Sequence, residues 1–439
     1  IGTNKASLIL LLSFFSGYPL AFIYRRFIFG KSATWQHLYF FLTGLSIGFI
    51  NFGLTISHNL VAVLVTYCVL KLLGGSFVAV TFVFVYNMTY LLAGYYLTAT
   101  ESYDILWTTP FCVLCLKMIG VAFDLYDGRK PPETLNEQSK NIRLLEKPGI
   151  LELYGAAFFP TVFLAGPQFS FKNYLLFTNS QLIPRPKSVL VGLSKLFIGL
   201  LYLVFHVISN LYLSEGYMLS PDYEMLPLWK KLFFLGLWGR SVCAKYLCTW
   251  LICEGATTIT GLSYNGKDDQ GHDKWDAVSN VNPIKFETAT QFEHYIRSFN
   301  TNTNNWMSHY IFKRLKFLNS RNLSHILTLM FLALWHGFHS GYYVCFLFEF
   351  VIMKFERGII SVMAQNANLR TFIKDSLLGQ VLIIIIARLY TFVFLGYSFI
   401  PVVFFSFDDY MQMYKQVFFI GHILFVPWIL VEPFYQRLL

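Results

Sequence analysis

The chain has 439 residues, of which 55% are hydrophobic, 19% aromatic and only 13% charged. A soluble domain carries about 25% charged residues. Half that proportion, gathered between long apolar blocks, excludes a soluble enzyme and predicts an all-α, polytopic membrane helix bundle. The net charge of +10 is no nucleic-acid footprint, because Lys and Arg stand in the loops between apolar runs, where positive-inside bias places them.

A bilayer core of roughly 30 Å takes about 20 helical residues to cross. The chain opens on Ile1 and is read as a piece of a longer one. Its first apolar run, residues 6–24, ends at Arg25, Arg26 and Lys31, which predicts a cytosolic end. Further spans are predicted at 38–56, 59–73, 77–97 and 105–123, with Glu101 and Asp104 marking a lumenal loop. Arg129, Lys130, Lys140, Arg143 and Lys147 then return the chain to the cytosol. Residues 150–166 are apolar but broken by Pro160 and closed by Gly166 and Pro167. Bases flank them on both sides (Lys172, Arg185 and Lys187 follow), so a re-entrant or interfacial hairpin is expected there. Spans follow at 189–213 and 228–259, the latter carrying Lys245 and Glu254.

Residues 263–322 form the longest polar interruption, expected on the cytosolic side with an interfacial amphipathic helix at 306–318. Residues 323–355 are too long for one span, about 50 Å of helix. A break is predicted between Gly337 and Gly341, so that 323–357 becomes two passes. Segments 377–400 and 414–431 complete about eleven spans in one integral domain and end near Arg437. No internal repeat is visible, which weakens a transporter as the alternative class. The seven cysteines are scattered through apolar runs and read as small buried hydrophobes; no metal site is expected.

Three stretches carry candidate chemistry. In SHILTLMFLALWHGFHSGYYVCFLFEF, residues 324–350, His336 lies deep in apolar sequence. An ionisable group at membrane depth faces protein or a watered cavity. His336 reads equally as a general base or as a packed polar residue bridging helices. His339, three residues on, is expected on the same helix face. SFNTNTNNW packs Asn300, Asn302, Asn304 and Asn305 into six positions. Taken alone it reads first as a polar turn or helix cap. HYIFKRLKFL carries Lys313, Arg314 and Lys316, which could meet a polyphosphate but read first as side chains snorkelling at an interface. No HExxH, P-loop or GxSxG motif is present.

These stretches, taken in order, resemble a family. WDAVSN at Trp275, SFNTNTNNW at Ser298, YIFKRLKFL at Tyr310 and LALWHGFHSGY at Leu332 are similar to the lysophospholipid acyltransferase branch of the membrane-bound O-acyltransferase family. CEGATTITGLSYNG at Cys253 and FLGYS at Phe394 extend the match, whose specific part covers residues 253–343. NTNNW stands where vertebrate members have NTNAW, and no FYxDWWN element of the sterol and diacylglycerol acylators is found.

The resemblance implies a catalytic pair, His336 and Asn300, with Trp275 and Asp276 as structural support. It implies acyl transfer from acyl-coenzyme A, arachidonoyl-coenzyme A by preference, to lysophosphatidylcholine in the endoplasmic reticulum membrane. Other lysophospholipid head groups are the alternative. Lys313, Arg314, Lys316, Tyr310, Asn302 and Asn304 are the expected coenzyme A contacts. Trp335, His339, Tyr342, Trp306 and Glu254 are the expected substrate contacts. No permanently bound cofactor and no nucleic acid is expected; membrane lipids are, and a homo-oligomer is left open.

Overall fold

The computed structural model describes residues 5–99, 105–182 and 187–438, with side chains as far as residue 431. Glu101, Asp104, Arg185 and the side chain of Arg437, used above to orient loops, lie outside the described residues. The described chain is helical. Helices α1 (Lys5–Ile23), α2 (Ala33–Phe52), α3 (Ser57–Leu73), α4 (Phe77–Leu97) and α5 (Thr108–Gly128) are followed by short α6 (Glu137–Ile142), α7 (Ile150–Ala157) and α8 (Phe171–Thr178). Next come α9 (Val189–Tyr212), α10 (Glu215–Met218), α11 (Pro221–Glu224) and the 33-residue α12 (Leu228–Thr260). The polar interruption holds α13 (Pro283–Glu287), α14 (Phe292–Ile296) and α15 (Thr301–Tyr310). The last helices are α16 (Arg321–His336), α17 (Ser340–Gln365), α18 (Ala367–Asp375), α19 (Leu377–Val403), α20 (Phe407–Gln416) and α21 (Ile420–Leu438). Among the described residues there is no strand, only one isolated bridge between Lys267 and Asp273.

Local chemistry starts these helices where the sequence puts small hydroxyls. Ser76, Ser170, Ser320, Ser376 and Ser406 each accept a hydrogen bond from the amide three residues on, satisfying a donor that the first turn cannot. Among the described residues six helical segments are long and apolar enough to cross a membrane, or seven if the bent pair α20 and α21 counts as one span. Helix α9 shows why lipid must cover them: Leu190, Phe197 and Leu211 on it are 81%, 62% and 73% exposed.

Contacts divide the chain into two compact units. The first holds Ile1–Leu201, Cys248–Val281 and Asn300–Arg314. In it the expected hairpin at 150–166 is the eight-residue α7 followed by irregular backbone. Eight residues rise only about 12 Å, too little to span. Phe158, Phe159, Val162, Phe163 and Leu164 are all buried, and Thr161 hydrogen-bonds Thr257 at 2.6 Å. Irregular backbone at membrane depth is tolerated where protein covers it in this way.

The second unit holds Tyr202–Leu247, Asn282–Phe299 and Leu315–Leu439. Here the long run of 323–355 breaks as its glycines predict. Helix α16 stops at His336, and Gly337 takes φ +128°, a region side chains rarely enter. Gly341 then lets α17 press on α19: a Cβ there would lie 1.8 Å from the Pro401 carbonyl oxygen.

Candidate active site

In the first unit the asparagine run is built around a buried carboxylate. Glu254, on α12, is fully buried. Its Oε2 faces Lys195 Nζ at 3.1 Å and accepts from Ser279 Oγ at 3.2 Å, while its Oε1 accepts from the Asn280 amide at 2.6 Å. Lys195 Nζ also donates to the Trp275 carbonyl at 3.0 Å. This fixes the loop ahead of α15, and Asn280 passes the order on. Its carbonyl accepts from the Thr301 amide at 3.0 Å and its Oδ1 from the Asn302 amide at 2.9 Å. Its Nδ2 donates to Asn300 Oδ1 at 3.3 Å. Asn300 precedes α15 in the left-handed region, φ +50° and ψ +41°, with no capping bond from its own side chain. Asn is among the few residues that adopt this conformation readily. Asn280 therefore supplies from outside the helix the caps that Asn300 does not.

The remaining asparagines divide. Asn302 Nδ2 donates to the Val278 and Ser279 carbonyls at 3.2 and 3.1 Å. Asn304 is half-buried, its amide bonded to the Asn300 carbonyl at 3.1 Å. Asp276 Oδ1 accepts from Asn265 Nδ2 at 2.7 Å.

One face of α15 and the residues after it zips onto α5 at four-residue spacing. Trp306 Nε1 donates to the Leu116 carbonyl at 3.0 Å, and Tyr310 OH donates to Asp124 Oδ1 at 2.8 Å. Arg314 forks onto both oxygens of Asp127 at 2.8 and 3.3 Å, with its guanidinium 4.1 Å from the Phe123 ring centroid. Burial pushes the Tyr310 phenol well up. The basic segment is not one amphipathic helix as expected: α15 ends at Tyr310, and a 3₁₀ turn runs over Phe312–Leu318. Lys313 donates to Gln138 Oε1 at 3.1 Å on the exposed surface, and Lys316, in the second unit, is exposed. Buried His309 has neither ring nitrogen bonded among the described residues. Burial first, then Arg314 and Lys313, lower its pKa to about 4.

In the second unit His336 is the last residue of α16. Its ring stacks on Tyr342 and Phe346, at 5.1 and 5.5 Å between centroids, with Trp335 edge-on at 4.6 Å. The ring is half-buried, and no side chain or backbone group among the described residues bonds it. Aromatic walls hold the ring while both nitrogens stay available. His339 does not share its helix face: α16 ends before it, because Gly337 turns the backbone out of the helix, and His339 stands just ahead of α17 with no capping bond from its side chain. The His339 ring meets Phe405 at 4.6 Å.

The structure thus joins Asn300, Asn302 and Glu254 in one hydrogen-bond network, places Trp306, Tyr310 and Arg314 on one zipper, and gathers Trp335 and Tyr342 around His336. Sequence reasoning missed Asn280, Lys195, Asp124 and Asp127 as their partners. Asn280 ends the WDAVSN motif and the two aspartates close an apolar run, but neither position names the distant residue it bonds. Among the described residues no group of three or more His, Cys, Asp or Glu could hold a metal ion.

Comparison with known sequences decides the family. Residues 92–400 match the family model of MBOAT, the membrane-bound O-acyltransferase family. The chain belongs to that family. This membrane-bound O-acyltransferase is 39% identical over 441 residues to lysophospholipid acyltransferase 5 of Homo sapiens, covering 100% of the chain and 90% of the relative. It is 37% identical to lysophospholipid acyltransferase 5 of Drosophila melanogaster, covering 98% and 87%. It is 28% identical to a lysophospholipid acyltransferase of Schizosaccharomyces pombe, covering 96% and 85%.

Proposed function

We propose that this O-acyltransferase moves an acyl chain from acyl-coenzyme A to the sn-2 hydroxyl of a lysophospholipid, lysophosphatidylcholine first, at the endoplasmic reticulum membrane. The observation that carries the proposal is His336: an imidazole at the break of a helix pair, walled by aromatic rings, with no protein partner on its nitrogens among the described residues. A histidine held that way can take a proton. The names of the relatives supply the substrate class.

His336 removes the proton of the lipid hydroxyl as that oxygen attacks the thioester carbonyl. Asn300 donates its amide to the reacting carbonyl oxygen, where charge develops. The network through Asn280 and Glu254 keeps the amide in place. The carbon–sulfur bond breaks and coenzyme A leaves as a thiolate; a thiol pKa near 8.5 makes it a far better leaving group than an alkoxide. No acyl-enzyme forms, so no cysteine is required. Lys313 and Lys316 meet the coenzyme A phosphates, with Tyr310 and Arg314 ordering the segment that presents them. The acyl chain transferred is polyunsaturated, with arachidonoyl preferred. Chemistry at bilayer depth spares both substrates extraction into water and keeps water from the thioester.

The test is purified protein supplied with arachidonoyl-coenzyme A and, in turn, lysophospholipids bearing choline, ethanolamine, serine and inositol. Stoichiometric thiol and diacyl phospholipid, highest with choline, is the expected result. Thiol release without lipid product, or no turnover with any acceptor, overturns the proposal.

A further inference from the structure

Glu349 is a carboxyl inside a membrane run, and the reaction above does not use it. At 100° per residue, Tyr342, Glu349, Met353 and Glu356 fall on one stripe of α17, and all but Glu349 are buried. Leu347, on the opposite face, is exposed. Glu349 therefore points inward and not to lipid, yet it stays half-open where its stripe-mates are closed. Two turns on, Glu356 is satisfied, accepting from the Phe292 amide at 2.7 Å. Glu349 has neither a hydrogen bond nor an ion pair among the described residues. A carboxyl without a partner at that depth is costly, and such groups mark sites in membrane proteins.

We infer that Glu349 binds the cationic head group of the lipid acceptor, taking a quaternary or primary ammonium on the inward face of α17. The inference rests on His336 acting at the lipid hydroxyl, and three features carry it.

The first is reach. Tyr342 stacks on His336, and Glu349 lies seven residues further, about 10 Å along the helix at 1.5 Å per residue. From an sn-2 oxygen to a choline nitrogen there are about eight bonds, roughly 10 Å when extended at ~1.2 Å per bond.

The second is chemistry. An ammonium supplies the opposite charge that makes an ionised carboxylate tolerable at depth. A choline group donates no hydrogen bond, so it asks only for charge and aromatic faces. The third is neighbours: Phe346, three residues before Glu349 on the same helix, already packs on His336 and joins the two positions with an aromatic wall.

The experiment is equilibrium binding of radiolabelled lysophosphatidylcholine and lysophosphatidylinositol to the full chain in nanodiscs, for the parent, Glu349→Gln and Glu349→Asp. Binding needs no turnover. We expect Glu349→Gln to weaken lysophosphatidylcholine at least tenfold, with lysophosphatidylinositol and acyl-coenzyme A within twofold, and Glu349→Asp to restore most of the affinity. Unchanged lysophosphatidylcholine affinity in Glu349→Gln overturns the inference. So does equal weakening of both lipids, which would make Glu349 structural. Transfer measured on the same samples separates the two proposals: head-group discrimination with no acyl transfer in the parent would count against His336 as base and leave the Glu349 site standing.

Discussion

Replacing Asn280 with alanine removes two contacts and leaves the backbone in place. The side chain is buried, caps the Asn302 amide at the start of α15, and holds Asn300 Oδ1. A lost helix cap costs about 1 kcal/mol, and a lost buried hydrogen bond costs about 1 kcal/mol more. Water has little access to replace either. Asn280→Ala is thus expected to lose about 2 kcal/mol of stability, and the Asn300 amide, freed to rotate, should cost roughly ten- to hundred-fold in kcat. The KM for acyl-coenzyme A should move little, because Asn280 touches no basic residue of the 313–316 segment. Thermal unfolding by tryptophan fluorescence and initial rates at varied acyl-coenzyme A read both effects. A destabilised variant with parental kcat would reduce Asn280 to a cap and break the link from Glu254 to Asn300. A variant as stable as the parent would refute the hydrogen-bond network itself.

Other expectations follow from particular residues. Asn300→Gly keeps the left-handed backbone and removes the amide, whereas Asn300→Ala adds about 1–2 kcal/mol of strain; if the amide is what matters, both lose kcat alike, both give up the hydrogen bond from Asn280, and Ala is the less stable of the two by that strain. His309, held at about pKa 4 by burial, Arg314 and Lys313 against nearby Asp127, should make the protein acid-labile. From pH 6.5 down to 4 the unfolded chain binds a proton that the folded chain refuses, so stability falls as pH falls, by up to about 3 kcal/mol. His309→Gln should flatten that slope in a pH series of melts. Gly341→Ala drives a methyl into the Pro401 carbonyl and should cost about 3 kcal/mol or more, seen as lost monodisperse protein on size exclusion.

How far the sequence could be read depends on the range of each interaction. Apolar runs, serine caps and the break at Gly337 depend on neighbours within a turn or two, so α4, α9 and the α16–α17 division were legible. The non-spanning character of 150–166 was written in Pro160 and its basic flanks. The network that holds Asn300 was not legible: Asn280 is 20 residues away and Glu254 a further 26, and spacing does not announce a tertiary hydrogen bond. The ties of Tyr310 and Arg314 to α5 were not legible either, because their acidic partners stand 186 and 187 residues earlier. His339 was placed on the His336 face by assuming a helix that Gly337 ends. Glu349 was visible all along as the one acid in FLFEF, and was passed over because its meaning lies in the stripe it shares with Tyr342.

The most direct measurement compares the parent with His336→Ala in nanodiscs, supplied with lysophosphatidylcholine and arachidonoyl-coenzyme A, following thiol and phosphatidylcholine together while melts confirm folding. Product from the parent and none from a folded His336→Ala is the expected result. Equal product from both would contradict the role of His336 as the base.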